Sequence, residues 1–234
     1  MGHWDTSRWS RARLIELATA LAGLGAAIAF NSFMGHVADG AGESAHPSPD
    51  MLLRLLPRAD LSVLFVWGFA AFWAWAIGVA LIRERRRLAH IAWLYSILLV
   101  TRGLFIVLTP MRAPADAIWS GGDPLFDAVG SYLTFRNDLF FSSHTALPFL
   151  GFLVYRDRWA RLVFLGFSIV LAATVLLMRR HYSIDVFAAY FITYAVYRFE
   201  YRWLRWPYRR LRWRLLSAVS PAYAHPIFDR ASDK

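Results

Sequence analysis

Apolar runs too long for a soluble core constrain this sequence more than any other feature. Residues 61–82, 88–108 and 162–178 are each apolar over about the ~17–25 residues that a helix needs to cross a bilayer. Strands and loops cannot serve such runs, because in hydrocarbon every backbone N–H and C=O must be paired within its own segment or in a closed barrel. Three further runs, 14–37, 139–155 and 184–204, bring the number to six. The expected fold is therefore all-α, a polytopic membrane protein with six transmembrane helices. A hydrophobic fraction of 58% and a mean hydropathy of +0.38 agree with that class and not with a soluble domain.

The charged residues punctuate these runs. Arginines gather in 83–87, in 156–161 and in a tail where they alternate with Trp and Tyr. Six spans with both termini in the cytoplasm put 19 of the 26 Lys and Arg on the cytoplasmic side and 7 opposite, as the positive-inside bias requires. The net charge of +10 then reports topology and anionic headgroups, and no nucleic-acid partner is expected. No small-residue cleavage site follows a short apolar stretch near the start, so the first run is expected to remain as a helix, with a packing stripe through Gly23 and Gly25. With no cysteine, disulfides, thiolate nucleophiles and cysteine zinc sites drop out. The expected organisation is a cytoplasmic N-terminus at 1–13, a six-helix catalytic domain at 14–204, and a basic aromatic interfacial tail at 205–234.

One polar cluster stands out against this background. Arg179-Arg180-His181-Tyr182-Ser183-Ile184-Asp185 lies between the last two runs, where ionisable groups persist mainly if they face a polar cavity or do chemistry. A helix from His181 onward would set His181 and Asp185 on one face, so that the carboxylate fixes the imidazole tautomer and stabilises its cation. Ser142-Ser143-His144-Thr145 opens another run, and the favoured topology brings both histidines to the same, non-cytoplasmic face. The other five read as structural: His3 and His225 sit in the polar ends, His36 and His46 near the loop after the first run, and His90 beside the basic 83–87 segment. Two imidazoles with one carboxylate suit phosphoryl chemistry without a metal or other cofactor: one attacks phosphorus and the other protonates the leaving alkoxide. Helix N-termini near both histidines add backbone donors, and Arg102, Arg179 or Arg180 add charge for the anionic oxygens.

These residues resemble the paired motifs of the type 2 phosphatidic acid phosphatase superfamily, closest to its sphingomyelin synthase branch. Asp138 six residues before His144, Arg102 twelve before Pro114, and Pro47-Ser48-Pro49-Asp50 are similar to that branch's remaining boxes. The resemblance implies a catalytic triad of His144 as general acid and later base, His181 as nucleophile and Asp185 as its orienting partner. The substrate-binding candidates are Arg102, Asp138, Ser142, Ser143, Thr145, Arg179, Arg180 and Tyr182, of which Arg179 and Arg180 occupy neither of the superfamily's usual phosphate-binding positions. Ser143 stands where the family carries Gly, which restricts the backbone approach to the phosphate. Val175 stands where the family's phosphomonoester hydrolases carry Arg, and their Lys-rich first motif has no clear counterpart. These two absences favour a lipid phosphotransferase that carries a phospholipid headgroup phosphate through a phosphohistidine to a lipid alcohol such as ceramide or diacylglycerol. Hydrolysis by the same triad is the alternative, and a non-catalytic lipid transporter of the same fold is a third reading. The expected setting is a bacterial cytoplasmic membrane with the active site on the periplasmic face, and the expected partners are a phospholipid donor and a lipid acceptor in the bilayer.

Overall fold

The computed structural model describes residues 11–200, and among them all regular secondary structure is helical, without a strand. In chain order the helices are α1 (Arg11–Gly42), α2 (Met51–Leu55), α3 (Phe69–Arg83), α4 (Leu88–Leu108), α5 (Pro124–Ala128), α6 (Ser143–Val154), α7 (Arg158–Leu177) and α8 (Ser183–Phe199). A π-helical stretch, Leu64–Gly68, leads into α3. Four stretches, Arg13–Gly42, Leu64–Arg83, Arg85–Leu108 and Arg158–Leu177, are long and apolar enough to cross a membrane. α6 has 12 residues, about 18 Å at ~1.5 Å per residue, and falls short of the ~30 Å hydrocarbon layer. The N-terminal Trp4 and Trp9, His3, His225, the end of the sixth run and the 205–234 tail lie outside the described residues.

Two helix boundaries differ from expectation for tertiary reasons. α1 continues past residue 37 to Gly42 because its last turns are tied to the segment that leads into α6: Asp39 accepts from the Asn137 N–H (2.8 Å), and Asn137 Nδ2 donates to the Asp39 carbonyl (3.0 Å). α6 begins at Ser143 and not at 139, since residues 139–142 stay irregular and their apolar members, Leu139 and Phe141, are drawn into the core.

The core lies among α3, α4, α6 and α7, where Phe72, Leu94, Leu98, Leu150, Phe164 and Leu171 are all but inaccessible. α6 packs against both α7 and α8, and α1 packs chiefly along α4. Gly103 of α4 makes that last approach possible: a Cβ there would lie 2.9 Å from the Phe30 ring. Of the expected packing stripe in α1, Gly23 meets the Trp93 ring of α4, whereas Gly25 faces open space.

Candidate active site

The two histidine motifs come together because α7 carries the chain back across the molecule. At its end Arg179 takes a left-handed backbone conformation (φ 59°), and the Arg180 N–H returns to the Val175 carbonyl (2.9 Å). This turn sends the side chains of Arg179 and Arg180 to different surroundings. The Ser142 N–H then donates to the Asp185 carbonyl (3.2 Å), fastening the start of α6 to the first turn of α8.

His181 and Asp185 meet, but not as two residues on one helical face. α8 starts at Ser183, so His181 lies ahead of it. Asp185, in the third helical position, reaches back to accept from the Tyr182 N–H (2.9 Å) and sets its Oδ2 3.3 Å from His181 Nδ1. A carboxylate there satisfies a free donor of the first turn and orients the imidazole at once. Asp185 is fully buried, and with Nδ1 engaged, Nε2 is the ring nitrogen left for chemistry.

A small pocket joins His181 to His144, and Ser143, Arg102, Asp138, Arg180, Phe65 and the segment Leu133-Thr134-Phe135 complete its wall. The His144 ring stacks on Phe65 (4.1 Å between centroids) and Phe69 (4.1 Å). Ser142, the N-cap residue of α6, gives the helix no side-chain cap, in contrast with Asp157 at α7, which accepts from the Ala160 N–H (2.9 Å). The first-turn N–H groups of α6 are therefore free of side-chain competition at the edge of the pocket.

Two buried arginines share this pocket in opposite states. Arg102 is spent on the protein: it forms a two-pronged pair with Asp138 (2.7 and 3.1 Å) and donates to the Phe141 carbonyl (2.9 Å) and Asn31 Oδ1 (3.1 Å). Arg180, only 4% exposed, makes no hydrogen bond within the protein through either terminal nitrogen. Its guanidinium lies over the rings of Phe65 (4.2 Å), Trp119 (4.3 Å) and Phe126 (5.8 Å). Burial pushes its pKa down to about 9, which still leaves a cation at neutral pH. A buried cation without an anion is costly, and its fork matches the paired oxygens of a phosphate or a carboxylate.

The remaining candidates are placed apart from the pocket. Arg179 turns away, donating to the Leu53 and Leu56 carbonyls at the end of α2 with Asp116 nearby (3.7 Å). The Tyr182 hydroxyl accepts from the Ser48 N–H (3.0 Å) and donates to the Arg112 carbonyl (2.8 Å). Burial, reinforced by the charges of Asp185, Asp50 and Asp116, raises the pKa of this phenol and keeps it protonated. Ser142 and Thr145 are fully enclosed beside the pocket and do not line it.

The Pro47-Ser48-Pro49-Asp50 box acts on the same turn. Asp50 Oδ1 caps α2 at the Leu53 N–H (3.0 Å), while Oδ2 accepts from both the Ser183 N–H (2.6 Å) and hydroxyl (2.8 Å). Burial alone would raise the Asp50 pKa; the hydrogen bonds from Leu53 and Ser183 outweigh it and hold the carboxyl below its usual range.

The sequence reading missed the aromatic wall. Phe65 and Phe69 belong to a run that reads as lipid-facing, and Trp119 and Phe126 lie in the Gly- and Pro-containing loop of residues 109–138. The one signal available was the density of large rings in the second apolar run.

Residues 137–202, which hold Asp138, His144, Arg180, His181 and Asp185, match the family model described as PAP2 superfamily C-terminal. The match supports the type 2 phosphatidic acid phosphatase superfamily, whose members are phosphatases and phosphotransferases acting on lipid phosphates. No curated protein and no solved structure matches the chain.

Proposed function

We propose that this protein is a six-helix lipid phosphotransferase working through a phosphohistidine. The observation that carries the reading is the convergence, on one pocket, of two imidazoles and a buried guanidinium whose terminal donors are free. His181 Nε2 attacks phosphorus of a glycerophospholipid while Asp185 holds Nδ1. The bond between phosphorus and the diacylglycerol oxygen breaks, and His144 gives its proton to that leaving oxygen. His144, now a base, takes the proton of an incoming lipid hydroxyl. That oxygen displaces His181 from phosphorus, and the headgroup phosphate ends on the acceptor. Arg180 and the free N–H groups of α6 hold the non-bridging oxygens through both steps. The acceptor is a lipid alcohol of the ceramide or diacylglycerol type, and the pocket opens at the periplasmic face of a bacterial cytoplasmic membrane.

The test uses purified protein in mixed micelles with headgroup-labelled phosphatidylcholine or phosphatidylethanolamine, with and without ceramide or diacylglycerol. Labelled acceptor lipid formed only when acceptor is present is the expected result. Water-soluble label released regardless of acceptor would assign the same residues to hydrolysis. Wild-type protein no more active than His181→Ala in either assay would end the catalytic reading.

A further inference from the structure

We infer that Trp119 is a positioning residue for phosphate binding: with Phe65 and Phe126 it forms an aromatic seat that holds the Arg180 guanidinium without using any of its terminal N–H donors. The inference rests on the proposed role of this pocket in taking a phosphate, and goes beyond it in naming what prepares the arginine.

A buried arginine is ordinarily placed by oxygen acceptors, as Arg102 is by Asp138, Phe141 and Asn31. Placement of that kind fixes the side chain but fills its donors and neutralises its charge, so nothing is left for a ligand. Aromatic faces attract the cation by their quadrupole and contact it above its plane, whereas the N–H bonds lie in the plane. Phe65 and Trp119 lie 4.2 and 4.3 Å from Arg180 Cζ, and neither can accept a conventional hydrogen bond from it. The arginine is thus desolvated and oriented while its fork stays open.

Trp119 is itself fixed to the turn that bears Arg180. The N–H of its neighbour Ile118 donates to the Met178 carbonyl (2.8 Å), two residues before Arg180. Its ring also packs against the small cluster of Leu53, Ala113, Leu139 and Tyr182, and the exposed Arg136 guanidinium lies over it at 5.0 Å. Phe65 has a second duty, since it stacks on His144 (4.1 Å). The rings stacked on His144 are Phe65 and Phe69, not Trp119, so a change at Trp119 separates positioning of the arginine from proton transfer.

The experiment compares Trp119→Phe, which keeps a ring face, with Trp119→Leu, which keeps bulk without one. Phe126→Leu on the more distant ring is a second probe should Trp119→Leu fail to fold. Two readouts are taken on full-length protein: binding of inorganic phosphate, read as thermal stabilisation, and KM against kcat in the lipid assay. Trp119→Leu is expected to weaken phosphate binding and raise KM about tenfold with kcat changed far less. Trp119→Phe should recover most of this, and Phe126→Leu should show a two- to threefold effect of the same kind (about half the energy, at the longer distance). Equal phosphate affinity and KM in wild type, Trp119→Leu and Phe126→Leu would overturn the seat. A wild type that binds phosphate in this pattern but turns over no lipid would leave the seat standing and remove the catalytic reading instead.

Discussion

The two ends of the helix bundle both bury charge, and they differ in what is left over. At the end holding Glu84, that carboxylate accepts from the Arg156 N–H (2.7 Å) and from Arg87 (3.0 Å), and Arg87 also donates to the Val154 carbonyl (3.0 Å). Tyr155 donates to the Ala76 carbonyl (2.9 Å), and Arg83 pairs with Asp157 (3.2 Å). At the histidine end, Arg180 Nη1 and Nη2, Ser142 Oγ, Thr145 Oγ1 and Asp185 Oδ1 are buried without a hydrogen-bond partner. Buried polar atoms are normally satisfied, so the first end is a finished structural joint. The second leaves the two terminal donors of Arg180 open beside the pocket, which is what the proposed phosphate site requires. Charge content alone does not separate the two; the state of its partners does.

The largest expected effect lies in the histidines. His181→Ala should lower kcat by about four orders of magnitude or more, because a nucleophile acting in concert with its acid has no substitute. Its thermal midpoint should stay close to wild type. A residual rate within about tenfold of wild type would remove His181 from the nucleophile's position and, with it, the contrast between the ends.

Next come the two arginines of the pocket, which should separate cleanly. Arg102→Ala strands Asp138 in a buried site and should cost about 3–5 kcal/mol of stability. Arg180→Ala removes a buried cation that has no anion, so stability should hold or rise while kcat/KM drops about a hundredfold or more. Chemical denaturation of both variants beside lipid turnover is the measurement. Should Arg180→Ala destabilise as much as Arg102→Ala, the guanidinium belongs to the fold and the free-donor argument fails.

At the far end, Glu84→Ala should cost about 2–3 kcal/mol, since it leaves the Arg156 N–H and Arg87 without their acceptor. KM at a temperature where the variant remains folded should match wild type. A change in KM there would mean that the structural joint communicates with the pocket.

Much of this was legible in the sequence, for reasons that differ by element. The long spans could be read because length and apolarity alone decide them. The meeting of His144, His181 and Asp185 could be read because ionisable side chains are rare beside apolar runs, although the His181–Asp185 contact is made by a capping carboxylate and not by a helical face. Arg102 could be named as a candidate from the sequence, but its pairing could not. Its state depends on Asp138 and Asn31, which are 36 and 71 residues away, and no local pattern encodes that. The separation of Arg179 from Arg180 turns on one left-handed residue and on α2, neither marked by a glycine. The aromatic seat was hidden most completely, because a phenylalanine or tryptophan at a bilayer looks the same whether it meets lipid or a guanidinium.

The smallest expected effect concerns the clamp that Asp50 places on the first turn of α8, and pH exposes it. The folded-state pKa of Asp50 is held below that of the unfolded chain, because Leu53 and Ser183 donate hydrogen bonds to the ionised form. A carboxyl shifted in that direction contributes stability that is fully present above its unfolded pKa of about 3.9, and that contribution is lost as pH falls through the lower folded value. Asp50→Asn has no such titration. Wild type should therefore exceed Asp50→Asn in stability at neutral pH by a margin that shrinks below about pH 4. Because Ser183 lies two residues after His181, Asp50→Asn should also lower kcat a fewfold without altering phosphate affinity, which the proposed site assigns to Arg180. A stability margin independent of pH would mean that the hydrogen bonds to Ser183 form equally well with a neutral side chain. The clamp would then hold the turn by shape and not by charge, which would make Asp50 a part of the finished kind of joint that Glu84 forms at the other end.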